Sequence, residues 1–404
     1  MKNQSLTTAA AAFAPAATAA PPATPARRGG ARLMDARAIT MVVVFLVLAV
    51  VFNVASGDIF LTPRNLSLLL RQASIVAIVA AGVSILMIMG EIDLSIGSSV
   101  YLCGVVAATL QHTYALDLVP TILVTLLAGL VLGLWQGIWV VTVGVPSFIV
   151  TLAGLLAFRG IGYYATDAAT IAPVSEAFSA LSEAFVPVPA TLIALSLALL
   201  AAGGYVVARH RKTLARKGSA SSRVLVAKLA ALLVAATALA WTFSGFRGLP
   251  VAIIWVAVIG LVLWILMTRT VFGRNAYLTG SNREASVLAG IALKRQLYLG
   301  FLLMGSLYGV AGVLVTARLG ASTPTTGMYM ELDAIAGAVI GGTALKGGIG
   351  TIPGAIVGAV LLATIDNGMS ILNISSFLQL VIKGLVLLFA LAFDSFMTRR
   401  QGRA

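Results

Sequence analysis

The loop of residues 269–296 carries the stretch Glu284-Ala285-Ser286-Val287-Leu288-Ala289-Gly290 between two apolar stretches, 250–268 and 297–317. Each apolar stretch is close to the roughly 20 residues that a helix needs to cross a bilayer. In the loop, an acidic residue suits the positive first turn of a helix, small residues permit close approach, and glycine ends the helix. The pattern predicts a short helix that docks on a partner at the membrane surface. An ordinary polar loop is the alternative, because seven residues can match by chance.

Composition places the chain among integral membrane proteins. Apolar residues make up 60% of its 404 residues and charged residues 10%, a bias typical of membrane-spanning helices. We predict an all-α integral membrane protein, a polytopic bundle of about 10 to 12 transmembrane helices, some of them broken. The windows expected to span the membrane are 39–55, 66–90, 94–110, 119–141, 146–165, 190–208, 229–243, 250–268, 297–317, 331–345, 350–364 and 377–393. The tenth and eleventh windows are short and interrupted by glycine.

Lysine and arginine indicate the orientation, because cytoplasmic loops retain more of them than external loops do. With a cytoplasmic N-terminus, basic residues gather on the inner side, in segments 209–228, 269–296 and 396–404. The outer loops hold only three, which are Arg64, Arg247 and Arg318. The net charge of +14 is therefore a topology signal, and it also suits contact with anionic lipid of the inner leaflet. It gives no reason to invoke nucleic acid.

Residues 1–38 are rich in Ala, Pro and Thr and are predicted to form a disordered cytoplasmic tail. A cleaved signal peptide needs a continuous apolar run. Here the run is interrupted by four prolines, Pro15, Pro21, Pro22 and Pro25. The expected membrane domain covers residues 39–395, and residues 396–404 form a second cytoplasmic tail.

The sequence offers no cofactor, metal or nucleotide site. Cys103 is the single cysteine, so it has no internal disulfide partner, and we expect a structural role in its span. His112 and His210 are predicted on opposite sides of the membrane and make no metal site. The glycine-rich stretch 341–350 lacks the Gly-x-x-x-x-Gly-Lys-Ser/Thr order of a phosphate loop. We therefore expect a chain that is not an enzyme and does not hydrolyse ATP itself.

Acidic residues occur twice at the edge of a predicted span in the same spacing. The two copies are Glu91-Ile92-Asp93-Leu94-Ser95-Ile96-Gly97 and Glu331-Leu332-Asp333-Ala334-Ile335-Ala336-Gly337. A carboxylate at lipid depth costs about 2.5 to 3.5 kcal/mol, so these side chains must face protein or water. They either cap helix N-termini or act as hinge and pathway elements of broken helices. The predicted topology puts one copy at each face, as an inverted duplication would.

Glycines recur every four residues in two predicted spans, at Gly129, Gly133 and Gly137 and at Gly350, Gly354 and Gly358. A helix face without side chains lets another backbone approach closely. Ordinary helix packing is one interpretation. A sliding surface at a homodimer seam or beside a substrate path is the other.

In combination, several motifs resemble the monosaccharide-type permeases of bacterial ATP-binding-cassette importers. In order they are Asn65-Leu66-Ser67, Leu69-Leu70-Arg71-Gln72, 91–98, 145–154, 157–160, Phe272-Gly273-Arg274, 331–336, 340–343 and 366–370. The extra pair of spans around 209–228 is similar to the xylose branch of that family. The loop motif of these permeases is Glu-Ala-Ala, three residues and Gly, and Ser286 replaces its second Ala. The stretch 277–282 departs from the family pattern.

The resemblance implies a homodimeric channel in the bacterial inner membrane with a cytoplasmic N-terminus. It would receive a monosaccharide, D-xylose first among the candidates, from a periplasmic sugar-binding protein. A separate cytoplasmic ATPase would drive it, and the chain itself would need no cofactor. Glu284, Ala285, Ser286 and Gly290 would then form the helix that docks on this ATPase.

Polar residues within the predicted spans are candidates for the sugar path or its hinges. The principal candidates are Glu91, Asp93, Ser95, Gly97, Trp135, Gln136, Glu331, Asp333, Asp366 and Asn367. Further polar candidates are Gln72, Ser74, Ser147 and Thr151. Trp135 could instead pack against lipid or protein, and Arg159 could extend its charge to the membrane surface or pair with a carboxylate in a span.

An ion-driven secondary transporter is the rival hypothesis, with Glu91, Asp93, Glu331 and Asp333 carrying protons. The docking loop argues against it, because an ion-driven carrier has no motor to contact. In the importer hypothesis, Asp93 and Asp333 are instead expected to cap broken helices. A membrane-embedded enzyme is a third hypothesis, and no nucleophile, metal cluster or paired catalytic carboxylate in the sequence supports it.

Overall fold

The computed structural model describes residues 28–217 and 221–401 and is almost wholly helical. This confirms the predicted all-α bundle. The helices are α1 (Arg28–Ala55), α2 (Pro63–Ile88), α3 (Ile96–His112), α4 (Leu118–Gly137), α5 (Ser147–Thr166), α6 (Glu176–Glu183), α7 (Val188–Lys217), α8 (Ser222–Ser244), α9 (Val251–Arg269), α10 (Val271–Ser281), α11 (Arg283–Leu288), α12 (Leu293–Leu319), α13 (Met330–Ile340), α14 (Ile352–Ile371) and α15 (Ser376–Gln401). A π-helical turn, Ile138–Val143, extends α4, and the short strands β1 (Phe185–Val186) and β2 (Leu249–Pro250) pair antiparallel.

Eight helices of the described residues are long and apolar enough to cross a membrane. They are α2, α4 with its π-helical turn, α5, α7, α8, α9, α12 and α14. The apolar parts of α1 and α15 are shorter, Thr40–Ala55 and Ser376–Phe389. This pattern supports a multi-pass membrane protein.

Each predicted window coincides with a helix, but two helices are too short to span a membrane alone. α13 has 11 residues, as expected for a broken span, and α3 has 17. Each follows a non-helical segment, residues 89–95 before α3 and 320–329 before α13, and we refer to these as the α2–α3 linker and the α12–α13 linker. The eleventh window, predicted to be short, is instead a complete helix of 20 residues, α14. Thr351 caps α14 and Pro353 lies in its first turn. The helix continues through Gly354 and Gly358, which pack against the main chain of Gly341 and Gly337.

Most of the basic segment 209–228 lies within the end of α7 and the beginning of α8. α7 continues to Lys217 and α8 begins at Ser222, while residues 218–220 lie outside the described part. α1 begins at Arg28, within the segment predicted as a tail. Residues 1–27 of that tail and 402–404 of the second tail also lie outside the described residues.

We refer to the two ends of the bundle as the α10 end and the α6 end. α2 finishes at the α10 end, where the Gly348 N–H donates to the Ile88 carbonyl (2.8 Å). α12 starts there, directly after α11, and finishes at the α6 end, where the Val174 N–H donates to the Gly320 carbonyl (3.1 Å). α2 and α12 therefore run in opposite directions.

α2 and α12 form the buried centre of the bundle, each with 72% of its apolar window buried. α12 packs against α3 and α4, the two helices that follow α2 in sequence. α2 packs against α13 and α14, the two helices that follow α12. α3 contacts α5, and α13 contacts α15. Reciprocal packing of two antiparallel helix triplets is the arrangement of an inverted repeat. It agrees with the predicted inverted relation between the two Glu-x-Asp segments.

Glycines let the helices of each triplet pack backbone to backbone. A Cβ on Gly129 of α4 would overlap the carbonyl oxygen of Gly305 in α12. A Cβ on Gly358 of α14 would likewise overlap the carbonyl oxygen of Gly337 in α13. The helix-packing interpretation is confirmed at these two positions.

Candidate functional site

The predicted short helix is present at the α10 end as α11. Glu284 lies in its first turn, and the Asn282 side chain caps the helix by accepting a hydrogen bond from the Ala285 N–H (2.9 Å). Gly290 follows with a φ of 77°, a left-handed conformation that glycine adopts without strain. The helix and its terminating glycine therefore lie where the sequence predicted them.

α11 exposes two adjacent aliphatic side chains next to its charged first turn. Leu288 is 89% exposed and Val287 56% exposed. Ser286 faces inward, where it is buried and donates from its hydroxyl to the Asn282 carbonyl (2.7 Å). Adjacent exposed aliphatic side chains on a short helix are typical of a surface that another protein covers. Sequence reasoning singled out Glu284 and missed Val287 and Leu288.

α10 is held against the bundle by hydrogen bonds to main-chain carbonyls. The Tyr277 hydroxyl donates to the Gly350 carbonyl (2.8 Å), and the Gln296 amide donates to the Phe272 carbonyl (2.8 Å). Burial raises the pKa of the Tyr277 phenol, so this group stays protonated and keeps donating. Tyr277 belongs to the stretch that departs from the resembled family, and here it attaches α10 to the segment between α13 and α14.

A cleft of about 630 Å³ opens beside α11, a volume within the range of roughly 300–1,000 Å³ seen for ligand sites. Its polar lining includes Glu91, Ser147, Asn282, Arg283 and Lys346. Within it, the Arg283 guanidinium forms an ion pair with the Glu91 carboxylate. This pair joins α11 to the α2–α3 linker.

The α2–α3 linker is also bonded to the start of α5. The Ile92 N–H donates to the Ser147 hydroxyl (3.2 Å), and the Thr151 hydroxyl donates to the Ile92 carbonyl (3.2 Å). Irregular backbone inside a membrane protein needs such partners, because lipid offers none. Ser147 and Thr151, predicted as path residues, thus satisfy linker main-chain groups.

Asp93 is the centre of a fully buried polar cluster. Its Oδ1 accepts hydrogen bonds from the Ser95 N–H (2.9 Å) and the Ser95 hydroxyl (2.8 Å), and its Oδ2 accepts one from the Tyr308 hydroxyl. The Gln136 amide donates to the Ser95 hydroxyl, and Gln136 Oε1 lies 3.1 Å from the Tyr308 hydroxyl. The cluster joins the start of α3 to α4 and α12. Its members have no exposed surface, so in this structure Asp93, Ser95 and Gln136 hold helices together.

The two broken helices begin at one point. A Cβ on Gly97, the second residue of α3, would overlap the Gly327 carbonyl oxygen and the Glu331 carboxylate. Gly327 has a φ of 71° and lies in the α12–α13 linker, three residues before α13. The structure therefore brings Gly97 and Glu331, one from each Glu-x-Asp segment, into contact. The predicted placement of one segment at each face is wrong at these residues, because the two broken helices begin beside each other inside the bundle.

Arg159 of α5 binds the α12–α13 linker. Its guanidinium donates to the carbonyls of Pro324 (3.1 Å) and Thr326 (2.8 Å), and it lies over the Tyr101 ring (4.9 Å to the centroid). Neither predicted role for Arg159, extending its charge to the surface or pairing with a carboxylate, included these carbonyl partners, and its charge also acts on the Glu331 carboxylate. The linker has main-chain carbonyls without helix partners, and an arginine fork satisfies two of them.

A lysine on α15 joins the predicted carboxylates of α13 and α14. Lys383 Nζ lies 3.2 Å from Asp333 Oδ2 and 2.8 Å from Asp366 Oδ2. Asp333 makes no capping bond, since the N-cap of α13 is Tyr329 with no side-chain hydrogen bond. The predicted capping role of Asp333 is therefore wrong, because pairing with a cation inside the bundle satisfies its charge better.

Of the remaining candidates, Asn367 and Trp135 hold helices together, whereas the Ser74 hydroxyl donates to the Leu70 carbonyl within α2 (2.7 Å) and Gln72 is exposed. Asn367 of α14 exchanges two side-chain hydrogen bonds with Asn65 of α2 (2.9 and 3.0 Å). The Trp135 ring packs edge-on against Phe158 (5.2 Å between centroids), which agrees with the packing interpretation. Lys383 was not among the predicted residues, although a lone lysine in a predicted span must find a partner.

The known proteins that this chain resembles are all described as transport permeases. The family described as "Branched-chain amino acid transport system / permease component" matches residues 65–391. The "Xylose transport system permease protein XylH" of Escherichia coli K12 is 38% identical over 92% of this chain and 95% of its own length. The Haemophilus influenzae protein of that name is 38% identical over 88% and 95%. The "Ribose import permease protein RbsC" of Bacillus subtilis is 33% identical over 83% and 86%.

No solved structure matches the chain. The family match covers most of the chain, and the named relatives match over nearly their whole length. The chain therefore belongs to this permease family and is similar to its xylose and ribose permeases.

Proposed function

We propose that the chain is the membrane subunit of an ATP-driven importer for a monosaccharide, with D-xylose the first candidate. The observation that carries the proposal is α11, a short helix ended by Gly290 that exposes Val287 and Leu288 at the end of the bundle. A permease driven by a separate ATPase needs a docking element of this kind. An ion-driven carrier does not.

The ATPase is proposed as a separate subunit. The glycine-rich stretch 341–350 lies in the turn between α13 and α14, where the Gly348 N–H binds the end of α2. This stretch has a packing role and lacks the residue order of a phosphate loop. Binding and hydrolysis of ATP are then the work of the partner that covers α11.

The substrate proposal rests on the relatives. Permeases named for xylose are 38% identical to this chain, whereas two named for ribose are 33% and 29% identical and one named for arabinose is 31% identical. A pentose is neutral and rich in hydroxyl groups, so amide and hydroxyl side chains with apolar walls suit it. The family description also names branched-chain amino acids, and an amino acid is therefore a necessary competitor in the assay that identifies the substrate.

We propose that the α10 end faces the bacterial cytoplasm and the α6 end faces outward, with the N-terminus inside. The exposed basic residues at the α7 and α8 ends would then contact anionic lipid headgroups. The segment 166–189, which carries Glu176 and Glu183, would receive a periplasmic sugar-binding protein. A second copy of the chain would pack beside α5 and α15, which expose Leu156 and Phe377.

The ion-driven alternative finds little support in the carboxylates it needs. Glu91 is paired with Arg283, and Asp333 with Lys383. Asp93 accepts three hydrogen bonds and has no exposed surface. A proton carrier must reach water on each side in turn, and these groups are engaged in structural bonds.

Copurification tests the proposal. The tagged chain is coexpressed with the ATPase subunit of a xylose importer and extracted in mild detergent. We expect the ATPase to be retained by the wild type and by Lys228→Gln, which removes an exposed charge on α8 away from α11. Absence of the ATPase from the wild-type complex would contradict the proposal.

A further inference from the structure

We propose that the Glu91–Arg283 ion pair transmits movement of α11 to the α2–α3 linker and through it to α5. The inference rests on the proposed function, in which α11 is the helix that docks on the ATPase. It assigns Arg283 and Glu91 as positioning residues of the coupling step.

The position of Arg283 suits this role. It is the first residue of α11 and the neighbour of Glu284, and its side chain is 51% exposed. The Glu91 side chain is only 6% exposed, and a buried carboxylate is costly without a paired cation. Across the described residues, Arg283 is the only cation within ion-pair distance of Glu91. The pair therefore attaches an exposed helix to a buried anchor.

The α2–α3 linker around Glu91 is held in place by hydrogen bonds. The Glu91 N–H donates to the Leu86 carbonyl at the end of α2 (2.9 Å). Beyond it, the Ile92 main chain is bonded to α5, and the Asp93 carboxylate is bonded at both oxygens. Because Glu91, Ile92 and Asp93 are all hydrogen-bonded to neighbouring helices, none of them is free to absorb a displacement of Glu91. It must be passed to the start of α5 or to the start of α3.

The other attachments of the 269–296 loop lie on α10 and at the start of α12. They are the bonds of Tyr277 and Gln296 to main-chain carbonyls and the packing of Gly280 against the Ile88 carbonyl. These contacts locate α10. Among hydrogen bonds and ion pairs in the described parts of the chain, only that of Arg283 joins an α11 side chain to the membrane helices.

Charge removal and charge exchange test the pair in proteoliposomes containing the permease, its ATPase and the sugar-binding protein. We expect Glu91→Gln and Arg283→Gln each to lower ATP-driven sugar uptake by about 5-fold to 150-fold, the span of typical coupling free energies. Copurification and ATP hydrolysis should persist. The double variant Glu91→Arg with Arg283→Glu should regain uptake. Lys294→Gln, an exposed charge at the same end, is the matched control.

A spin label provides a readout that loss of folding would not imitate. Cys103 is the single cysteine, so Cys103→Ser with Ile161→Cys places one label on α5 of each copy, at a residue that is 53% exposed. Ile161 lies about 140° around the helix from Leu156, where the second copy is proposed to pack. The wild-type spectrum should change between ATP-bound and ATP-free states. In Glu91→Gln this change should be lost while the ATP-free spectrum stays the same.

The outcomes separate this inference from the proposed function. If the wild type moves no sugar with ATP, the proposed function fails. If the wild type and both single variants transport equally, only the inference fails. It is also overturned if the single variants lose uptake while the α5 label still responds to ATP, or if the charge exchange assembles with its ATPase and regains nothing.

Discussion

Gly97 at the start of α3 lies directly against Gly327 in the α12–α13 linker, with no side chain between the two backbones. Each belongs to a different half of the reciprocal helix packing. Helix N-termini carry partial positive charge, and the Glu331 carboxylate lies beside the start of α3. The two broken spans thus share one contact point inside the bundle.

Gly97→Ala tests this contact. A methyl group there would overlap main-chain atoms, so we expect a loss of about 1 to 3 kcal/mol of stability and a lower Tm in nanodiscs. Gly160→Ala is the matched control, because a Cβ on this helical glycine would meet open space. Equal melting temperatures for the two variants would show that the contact tolerates a side chain.

Glu284→Lys and Gly290→Leu should leave the permease in the membrane but uncouple it. Lysine in the first turn of α11 opposes the helix dipole, and leucine at a φ of 77° carries strain of about 1 to 3 kcal/mol. We expect both variants to lose ATPase in copurification and to lose sugar uptake. Gly320→Leu, at a φ of 65° on the opposite end, carries the same strain and should keep its ATPase. Normal uptake by both α11 variants would disprove the docking role.

Lys383→Met should destabilise the bundle by leaving Asp333 and Asp366 facing each other without a cation. Removing one partner of a fully buried pair costs roughly 3 to 5 kcal/mol, and partial exposure reduces this to about 1 to 3 kcal/mol. Lys383→Arg should retain most of the Tm. The triple variant with Asp333→Asn and Asp366→Asn should recover part of the loss. If it melts below Lys383→Met, the charge argument is wrong.

Asp93→Asn should retain much of the transport activity. The amide oxygen can accept from Ser95, and the amide nitrogen can donate to the Tyr308 hydroxyl, which then donates to Gln136 Oε1 at 3.1 Å. Asp93→Leu leaves buried donors unpaired and should lose transport. With ATP inside vesicles that contain Asp93→Asn, a protonophore should leave the rate of sugar uptake unchanged. Protonophore-sensitive uptake in the wild type would favour the ion-driven rival.

Features set by local pattern were predictable from the sequence. Apolar windows located the helices, and Glu284 and Gly290 located the first turn and the end of α11, because helix-dipole and glycine effects act within one turn. The Asn282 cap was not predicted. The four-residue glycine series likewise predicted close helix packing at Gly129 and Gly358. These signals need no knowledge of distant residues.

Partners distant in sequence were not predictable in the same way. Arg283 and Glu91 lie 192 positions apart, and Tyr308 and Asp93 lie 215 apart, so their pairing depends on the inverted packing of α2 and α12. The same packing gives Asp333 a lysine partner, where local pattern suggested a cap. A rule that every charge in a span needs a partner would have found Lys383 as a candidate but would not have chosen its carboxylates.

Sugar uptake driven by internal ATP tests the central claim most directly. Proteoliposomes carrying the permease, its ATPase and the cognate binding protein are loaded with ATP and supplied with radiolabelled D-xylose, D-ribose, L-arabinose or L-leucine. We predict accumulation of D-xylose that requires ATP and all three components and is lost with Gly290→Leu. Accumulation of leucine and no sugar, or accumulation of sugar without ATP, would contradict the account.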